Sequence, residues 1–172
     1  MTWPDTPLRE FIERLSQPTP RWAGGAAAAV AGSSGWALLA MTFAIIQRKH
    51  PDPGIEELIA QALTSRDQLL ILAKSDVAAV RSLSRDHTGE AIIEATRIPL
   101  AILKLAHAGS LSARHPARSL LSQAEPDFGT AEALFLACQH STQLIIAANL
   151  PHVREPERTE LIGELRNVTE TS

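Results

Sequence analysis

An aspartate interrupts the apolar face of a long predicted helix near the middle of the chain. Apolar residues recur every three or four positions from Ile55 to Val80, and Asp76 occupies one of those positions. A carboxylate among apolar side chains is partly desolvated, which raises its pKa unless a cation or hydrogen bonds keep it ionised. Such a group can act as a general acid or base. The alternatives are a structural ion pair with an arginine such as Arg97, or a helix edge open to water.

Two further polar residues lie near opposite ends of a later predicted helix. Asp127 stands where a helix N-cap is expected, so its first role is to accept hydrogen bonds from the first turn, which stabilises a helix by about 1 kcal/mol. Asn149 lies on the core stripe near the end of the same helix. Its amide either binds a ligand or satisfies backbone groups.

A glycine-containing segment before the second predicted helix is the third feature that could bind a ligand. Gly24, Gly25 and Ala26 follow a loop that includes Trp22. Free backbone N–H groups and the positive end of the helix dipole can hold an anion or a carbonyl oxygen at such a start. The spacing and lysine of a phosphate-binding P-loop are absent. Lys49, at the other end of the helix, is either a solvated cation that stabilises the helix end or a ligand-binding group.

The composition argues against several classes of protein. The chain has 172 residues and a net charge of -3 without a basic run, which argues against nucleic-acid binding. The single cysteine, Cys138, cannot form an internal disulfide, and the six histidines form no Cys/His cluster, so no metal is expected. The amino-terminal segment has acids and prolines where a secretory signal has a basic and then an apolar region. We expect a cytoplasmic protein.

One apolar stretch raises the alternative of a membrane-spanning helix. Residues 22–47 carry no charge and are followed by the basic cluster 48–50. Much of the stretch is Ala, Gly and Ser, and the chain has no second such segment, so we predict a buried helix of a soluble protein and no membrane partner. Its small residues allow close helix packing. We expect the face between Gly24 and Met41 to form a dimer interface, with Gly32 in a close contact.

The spacing of apolar residues predicts an all-α protein. We expect one domain over residues 1–172, a helical bundle of about six to seven helices. The first predicted helix begins at Pro7 and ends before Pro18. The remaining helices span roughly 24–48, 53–83, 88–108, 116–123, 127–151 and 156–167. The second and third are the long antiparallel pair of the bundle. Pro99 lies inside the fourth helix, where it removes one backbone hydrogen bond.

Taken together, these segments resemble the cyclodeaminase/cyclohydrolase family. That family includes the cyclodeaminase domain of formiminotransferase-cyclodeaminase and the stand-alone bacterial methenyltetrahydrofolate cyclohydrolases. Five segments in register carry the resemblance. They are Pro18-Thr19-Pro20, the glycine- and alanine-rich run 23–41, Leu69-Leu70 with Ser75-Asp76 and Ala79, the segment from Ala95 to Pro99, and Asp127 with Ala131, Ala137, Asn149 and Leu150.

The resemblance implies a homodimer that binds a folate near the glycine turn, without a metal or a redox cofactor. The implied reaction is hydrolysis of methenyltetrahydrofolate, or cyclisation of formiminotetrahydrofolate with loss of ammonia. Asp76 is the implied acid or base. The implied substrate-binding residues are Trp22, Gly24, Gly25, Ala26, Lys49, Asp127 and Asn149.

Three positions in the glycine segment depart from the family pattern. Trp22 and Ala23 stand where the family has proline and its first glycine, and Ala26 stands where it has serine. The connection between Asp76 and Pro99 is also shorter. These departures favour an alternative, a diverged dimeric helical protein of the same family that performs no turnover.

The sequence also predicts where the pocket lies. We place it where the turn 21–26, Asp76 and Asp127 converge. The turn and Asp76 lie on the two arms of the antiparallel pair at similar distances from Pro53, so they reach the same end of the bundle. The resemblance alone places Asp127 beside them. Trp22 in that turn either stacks on a pterin ring or fills the pocket.

Overall fold

The computed structural model describes residues 7–18, 24–86 and 88–170. In this part of the chain there are six α-helices and no strand, which confirms the all-α prediction. The helices are α1 (Leu8–Leu15), α2 (Gly24–Lys49), α3 (Pro53–Asp86), α4 (Gly89–Ala113), α5 (Glu125–Asn149) and α6 (Glu157–Glu170). Short 3-10 turns cover Pro116–Leu120, Ser122–Ala124 and Leu150–His152.

Helices α2 to α5 form an antiparallel bundle in which α2 packs between α3 and α5. The α2–α3 pair is the long antiparallel pair that the sequence predicts, with the hydroxyl of Ser33 donating to the carbonyl oxygen of Arg66 across it. Helix α4 closes the bundle by packing against α3 and α5, and α6 packs on the outside of α4. This arrangement brings the start of α2, the end of α3 and the end of α5 to one end of the bundle.

Aromatic side chains fill the centre of the bundle. Trp36, Phe43, Phe128 and Phe135 are fully buried. The Trp36 and Phe135 rings meet edge to face with centroids 5.4 Å apart, and the indole N–H of Trp36 donates to the carbonyl oxygen of Leu105 at 3.2 Å. Each buried ring removes about 150 to 250 Å² of surface from water. The core therefore fixes α2 against α4 and α5.

Helix α2 is the predicted buried helix. It alone among the described helices is long and apolar enough to cross a membrane by length and composition, and 56% of its most apolar window is buried inside the bundle. Its glycines serve packing within the chain. A Cβ at Gly32 would lie 3.1 Å from the Cys138 sulphur and 3.2 Å from a Leu69 methyl. The expectation that Gly32 contacts a second chain is therefore wrong.

Two predicted boundaries are also wrong, for physical reasons. The fourth predicted helix, 88–108, stops just before Gly109, but this glycine lies inside α4, where a Cβ would be 2.4 Å from the Phe135 ring. The glycine admits the ring of α5 and does not terminate the helix. The predicted helix over 116–123 consists of two 3-10 turns that do not continue into one another.

Candidate functional site

The Asp76 carboxylate lies at the interface between α3 and the first turn of α2. The residue is only 3% exposed, and its Oδ2 accepts a hydrogen bond from the backbone N–H of Ala26 at 2.9 Å. The start of an α-helix has four N–H groups without an intrahelical partner. A side chain fifty residues away therefore satisfies one of them. Asp76 is not at a helix edge open to water, so that alternative is wrong. Arg97, named as a possible ion-pair partner, pairs instead with the exposed Glu160.

Gly25 permits this contact. A Cβ built on Gly25 would lie 2.2 Å from Oδ1 of Asp76 and 2.7 Å from Oδ2, far inside van der Waals distance. The neighbouring Gly24 has room, since its nearest atom would be a methyl of Ile145 at 3.7 Å. Of the two glycines, only Gly25 is needed for the carboxylate to approach the α2 backbone.

Burial sets the protonation equilibrium of Asp76. Desolvation raises the pKa of its carboxyl from 3.8 to about 6, and the hydrogen bond from Ala26 opposes part of that rise. The carboxyl is therefore mostly ionised at pH 7, and a slightly lower pH protonates it. A group with this equilibrium can both accept and return a proton near neutral pH.

The structure brings together four of the predicted site residues. Gly24, Gly25 and Ala26 form the first turn of α2, and Asp76 lies against that turn. Trp22 and the rest of the predicted turn before Gly24 lie outside the described residues, so the role predicted for Trp22 stays a prediction.

Asn149 lies at the same end of the bundle, at the end of α5. Its Nδ2 donates to the carbonyl oxygen of Ala95 at 2.8 Å. That carbonyl is the one whose helical partner would be the N–H of residue 99, and Pro99 has no N–H. The amide of Asn149 thus replaces the hydrogen bond that the proline removes. Of the two roles predicted for it, satisfaction of a backbone group is confirmed.

Asp127 lies elsewhere. It was expected to be the N-cap of its helix, but α5 begins two residues earlier at Glu125 with Ala124 as the N-cap, so this prediction is wrong. The next residue, Phe128, packs against Phe43 with ring centroids 5.6 Å apart. Because Phe43 lies 18 residues after Gly25 on α2, Asp127 is about 27 Å from the Asp76 contact along the bundle.

Lys49 is also far from the Asp76 contact. It is the exposed last residue of α2, about 36 Å from Gly25 along that helix. Neither Lys49 nor Asp127 of the same chain can therefore touch a small molecule bound at Asp76. The predicted convergence of Asp127 with the glycine turn is wrong within one chain.

A groove of about 960 Å³ opens at the Asp76 end of the bundle. It is bounded by the end of α3, the start of α4, and the end of α5 with the segment that follows it. The lining residues are Leu83, Ser84, Thr88, Gly89, Ile92, Ala148, Asn149, His152 and Arg154. Apart from Asn149, none of these was found from the sequence. They lie at helix ends and in a connection, where no apolar period makes a polar residue stand out.

No group of three His, Cys, Asp or Glu side chains in the described ranges lies close enough together to hold a metal ion. The one cysteine is buried against Gly32, and desolvation raises the pKa of the Cys138 thiol to about 12. It therefore remains a neutral thiol near pH 7. Asp76 is the buried carboxyl of this site, and its pKa of about 6 brings its proton equilibrium near neutrality.

Comparison with known proteins agrees with the all-α fold. The family model of formiminotransferase-cyclodeaminase matches residues 7–167. Among solved structures, formiminotetrahydrofolate cyclodeaminase from Thermotoga maritima superposes with a TM-score of 0.88 at 20% identity, over 96% of this chain and 89% of that chain. No curated protein sequence matches this chain.

Proposed function

Because the chain belongs to the formiminotransferase-cyclodeaminase family, we propose that it acts on a folate that carries a one-carbon unit. The reaction is hydrolysis of methenyltetrahydrofolate, or cyclisation of formiminotetrahydrofolate with loss of ammonia. The observation that carries the proposal is the buried Asp76 carboxylate at the first turn of α2. The pKa of about 6 of this carboxyl supports a role in proton transfer.

Both reactions need little from the protein beyond position and proton transfer. In hydrolysis, water adds to the methenyl carbon and gives a proton to the Asp76 carboxylate. The bond from that carbon to N5 then breaks, the proton of the new hydroxyl passes to N5, the formyl group stays on N10, and the Asp76 carboxyl releases its proton to water. In cyclisation, N10 attacks the formimino carbon and its proton passes to the imino nitrogen. That nitrogen takes a second proton from the Asp76 carboxyl and leaves as ammonia, which gives the methenyl product. A carboxyl that exchanges protons near neutral pH can serve either sequence, and neither requires a metal or a redox cofactor.

An assay of the purified protein tests the proposal. Hydrolysis is followed as loss of the methenyl chromophore above the spontaneous rate, and cyclisation as release of ammonia from formiminotetrahydrofolate. Asp76→Asn should reduce kcat by about 10² to 10⁴ if the carboxyl transfers the proton. Asp67→Asn changes an exposed aspartate on the same helix and should leave kcat unchanged. Equal rates for the parent and Asp76→Asn would contradict a role for this carboxyl.

The second candidate is a helical protein of the same family that performs no turnover. The observation that favours it is the hydrogen bond from Ala26, which gives Asp76 a structural role as a cap of α2. The resemblance adds that Ala26 lacks the hydroxyl that the family's serine has. Folate binding without loss of the methenyl chromophore or release of ammonia would support this candidate.

The exposed face of α2 supports the further proposal that the protein is a homodimer. Ser34, Ala37 and Met41 are exposed along one side of this helix. This side therefore leaves part of the one described helix that is long and apolar enough to cross a membrane in contact with solvent. A two-fold axis would pair this face with the same face of a second chain. The small side chains of Ser34 and Ala37 would allow the two helices to approach closely.

Sedimentation of charged variants tests the dimer. Ala37→Glu places an unpaired charge in the proposed interface, so it should convert a dimer to a monomer. Ala147→Glu changes an exposed alanine on α5 and should leave the dimer intact. A parent protein that sediments as a monomer at micromolar concentration would contradict the homodimer.

A further inference from the structure

The groove beyond α2 lies in line with Asp76 along the bundle. Leu83, which lines it, follows Asp76 by seven residues and so lies on the same stripe of α3, about 10 Å farther along. Asn149 follows Ile145 by one turn of α5, and Ile145 is the residue that borders Gly24. Helix α2 begins at Gly24, whereas α3 and α5 continue beyond it. The groove lies at this end of the bundle, between the end of α3, the start of α4 and the end of α5.

The groove combines an apolar surface with two basic side chains. Leu83, Ile92 and Ala148 supply the apolar part, and the charged or titratable side chains among the described lining residues, His152 and Arg154, are bases. Such a surface suits a ligand with a flat apolar portion and an anionic end.

Arg154 is available to bind a ligand. The carboxylate next to it in sequence, Glu155, is occupied, because its oxygens accept from Arg158 at 2.8 Å and from the Thr159 hydroxyl at 2.7 Å. Within the described ranges Arg154 makes no ion pair. A guanidinium offers parallel N–H donors that match the two oxygens of a carboxylate.

We infer that this groove binds the aminobenzoyl-glutamate arm of the folate, with Arg154 and His152 receiving its carboxylates. The inference rests on the proposed function, because that function places the reacting carbon of the folate at Asp76. The arm extends from N10, beside that carbon, and the ring of the arm would lie on the apolar surface between Leu83 and Ala148. The glutamate would then reach the basic residues beyond it.

Binding of the isolated arm tests the inference directly. Aminobenzoyl-glutamate is titrated into the full-length protein by calorimetry, with its uncharged glutamate diamide as the comparison ligand. Arg154→Gln should weaken binding of the acid by about tenfold or more and leave binding of the diamide unchanged. Arg166→Gln removes an exposed arginine of α6 outside the groove and should leave both constants unchanged. Absence of binding by the parent, or equal weakening by both variants, would overturn the inference.

Turnover separates this inference from the proposed function. If the enzyme hydrolyses methenyltetrahydrofolate but Arg154→Gln leaves KM unchanged, the proposed function stands and the groove does not bind the arm. If the arm binds in an Arg154-dependent way but neither reaction occurs, the groove assignment stands and the catalytic proposal fails. A rise in KM with little change in kcat is the expected result for Arg154→Gln, because the residue contacts a part of the substrate that does not react.

Discussion

Replacement of Asp76 by asparagine should make the protein more stable near neutral pH. The amide oxygen of an asparagine can still accept from the N–H of Ala26, but the side chain carries no charge that burial disfavours. The folded-state pKa of about 6, against 3.8 when exposed, corresponds to about 3 kcal/mol at about 1.36 kcal/mol per pKa unit. About 3 kcal/mol is therefore the largest gain in the free energy of unfolding that the substitution could give.

The sign of the pH dependence follows from the direction of the pKa change. Between about pH 4 and pH 6 the folded parent binds a proton at Asp76 that the unfolded chain has already lost. The free energy of unfolding of the parent therefore falls as pH rises through this window, relative to that of Asp76→Asn. Below about pH 4 both side chains are neutral, so the difference between the two proteins is small. Above about pH 6 it reaches its full size.

Urea unfolding followed by circular dichroism at a series of pH values measures this difference. The change of the difference with pH is the informative quantity, because any steric effect of the amide is the same at every pH. Asp67→Asn is the matched control with the opposite sign, since the neighbouring Arg66 lowers the pKa of the exposed Asp67 carboxyl. A difference between parent and Asp76→Asn that stays constant from about pH 4 to pH 7 would refute the argument that burial destabilises the carboxylate.

Three further results are expected. Gly25→Ala should reduce stability by about 1 to 3 kcal/mol in thermal unfolding and abolish turnover, because its Cβ displaces the Asp76 carboxylate, whereas Gly24→Ala should change neither. Asn149→Ala should cost about 1 to 3 kcal/mol in urea unfolding, because it leaves the buried carbonyl oxygen of Ala95 without a donor; a cost near zero would mean that water replaces the amide. In the active enzyme, kcat/KM should rise with pH through about 6 as Asp76 ionises, and a flat profile would argue against this group as the base.

The fold could be predicted from the sequence because helical periodicity is a local property. The stripe on α3 places Asp76 on the buried face, and the turn at Pro53 fixes α2 and α3 as an antiparallel pair. The partner of Asp76 could not be predicted. The charge of Asp76 suggests an arginine as its partner, whereas the partner is the backbone N–H of Ala26. Every residue except proline has that group, so the sequence does not identify it.

The position of Asp127 in space does not follow from its position in the sequence. Asp127 was placed beside the glycine turn by resemblance alone, without the direction of α5. The packing of Phe128 on Phe43 shows that α5 runs antiparallel to α2, which sends Asp127 to the other end of the bundle. Gly109 shows a related difficulty. A glycine near a predicted helix end signals a C-cap, but the same residue type also admits an aromatic ring from a neighbouring helix.

The choice of a carboxylate at position 76 is itself an argument about function. The N–H of Ala26 needs an acceptor, and an amide or hydroxyl oxygen would provide one without the cost of burying a charge. The fold instead retains a group that is 3% exposed, lacks an ion pair in the described ranges, and destabilises the folded state near neutral pH by up to about 3 kcal/mol. Capping alone does not account for that cost. A group that must exchange a proton with a ligand at the first turn of α2 does account for it, because only an ionisable side chain can do so.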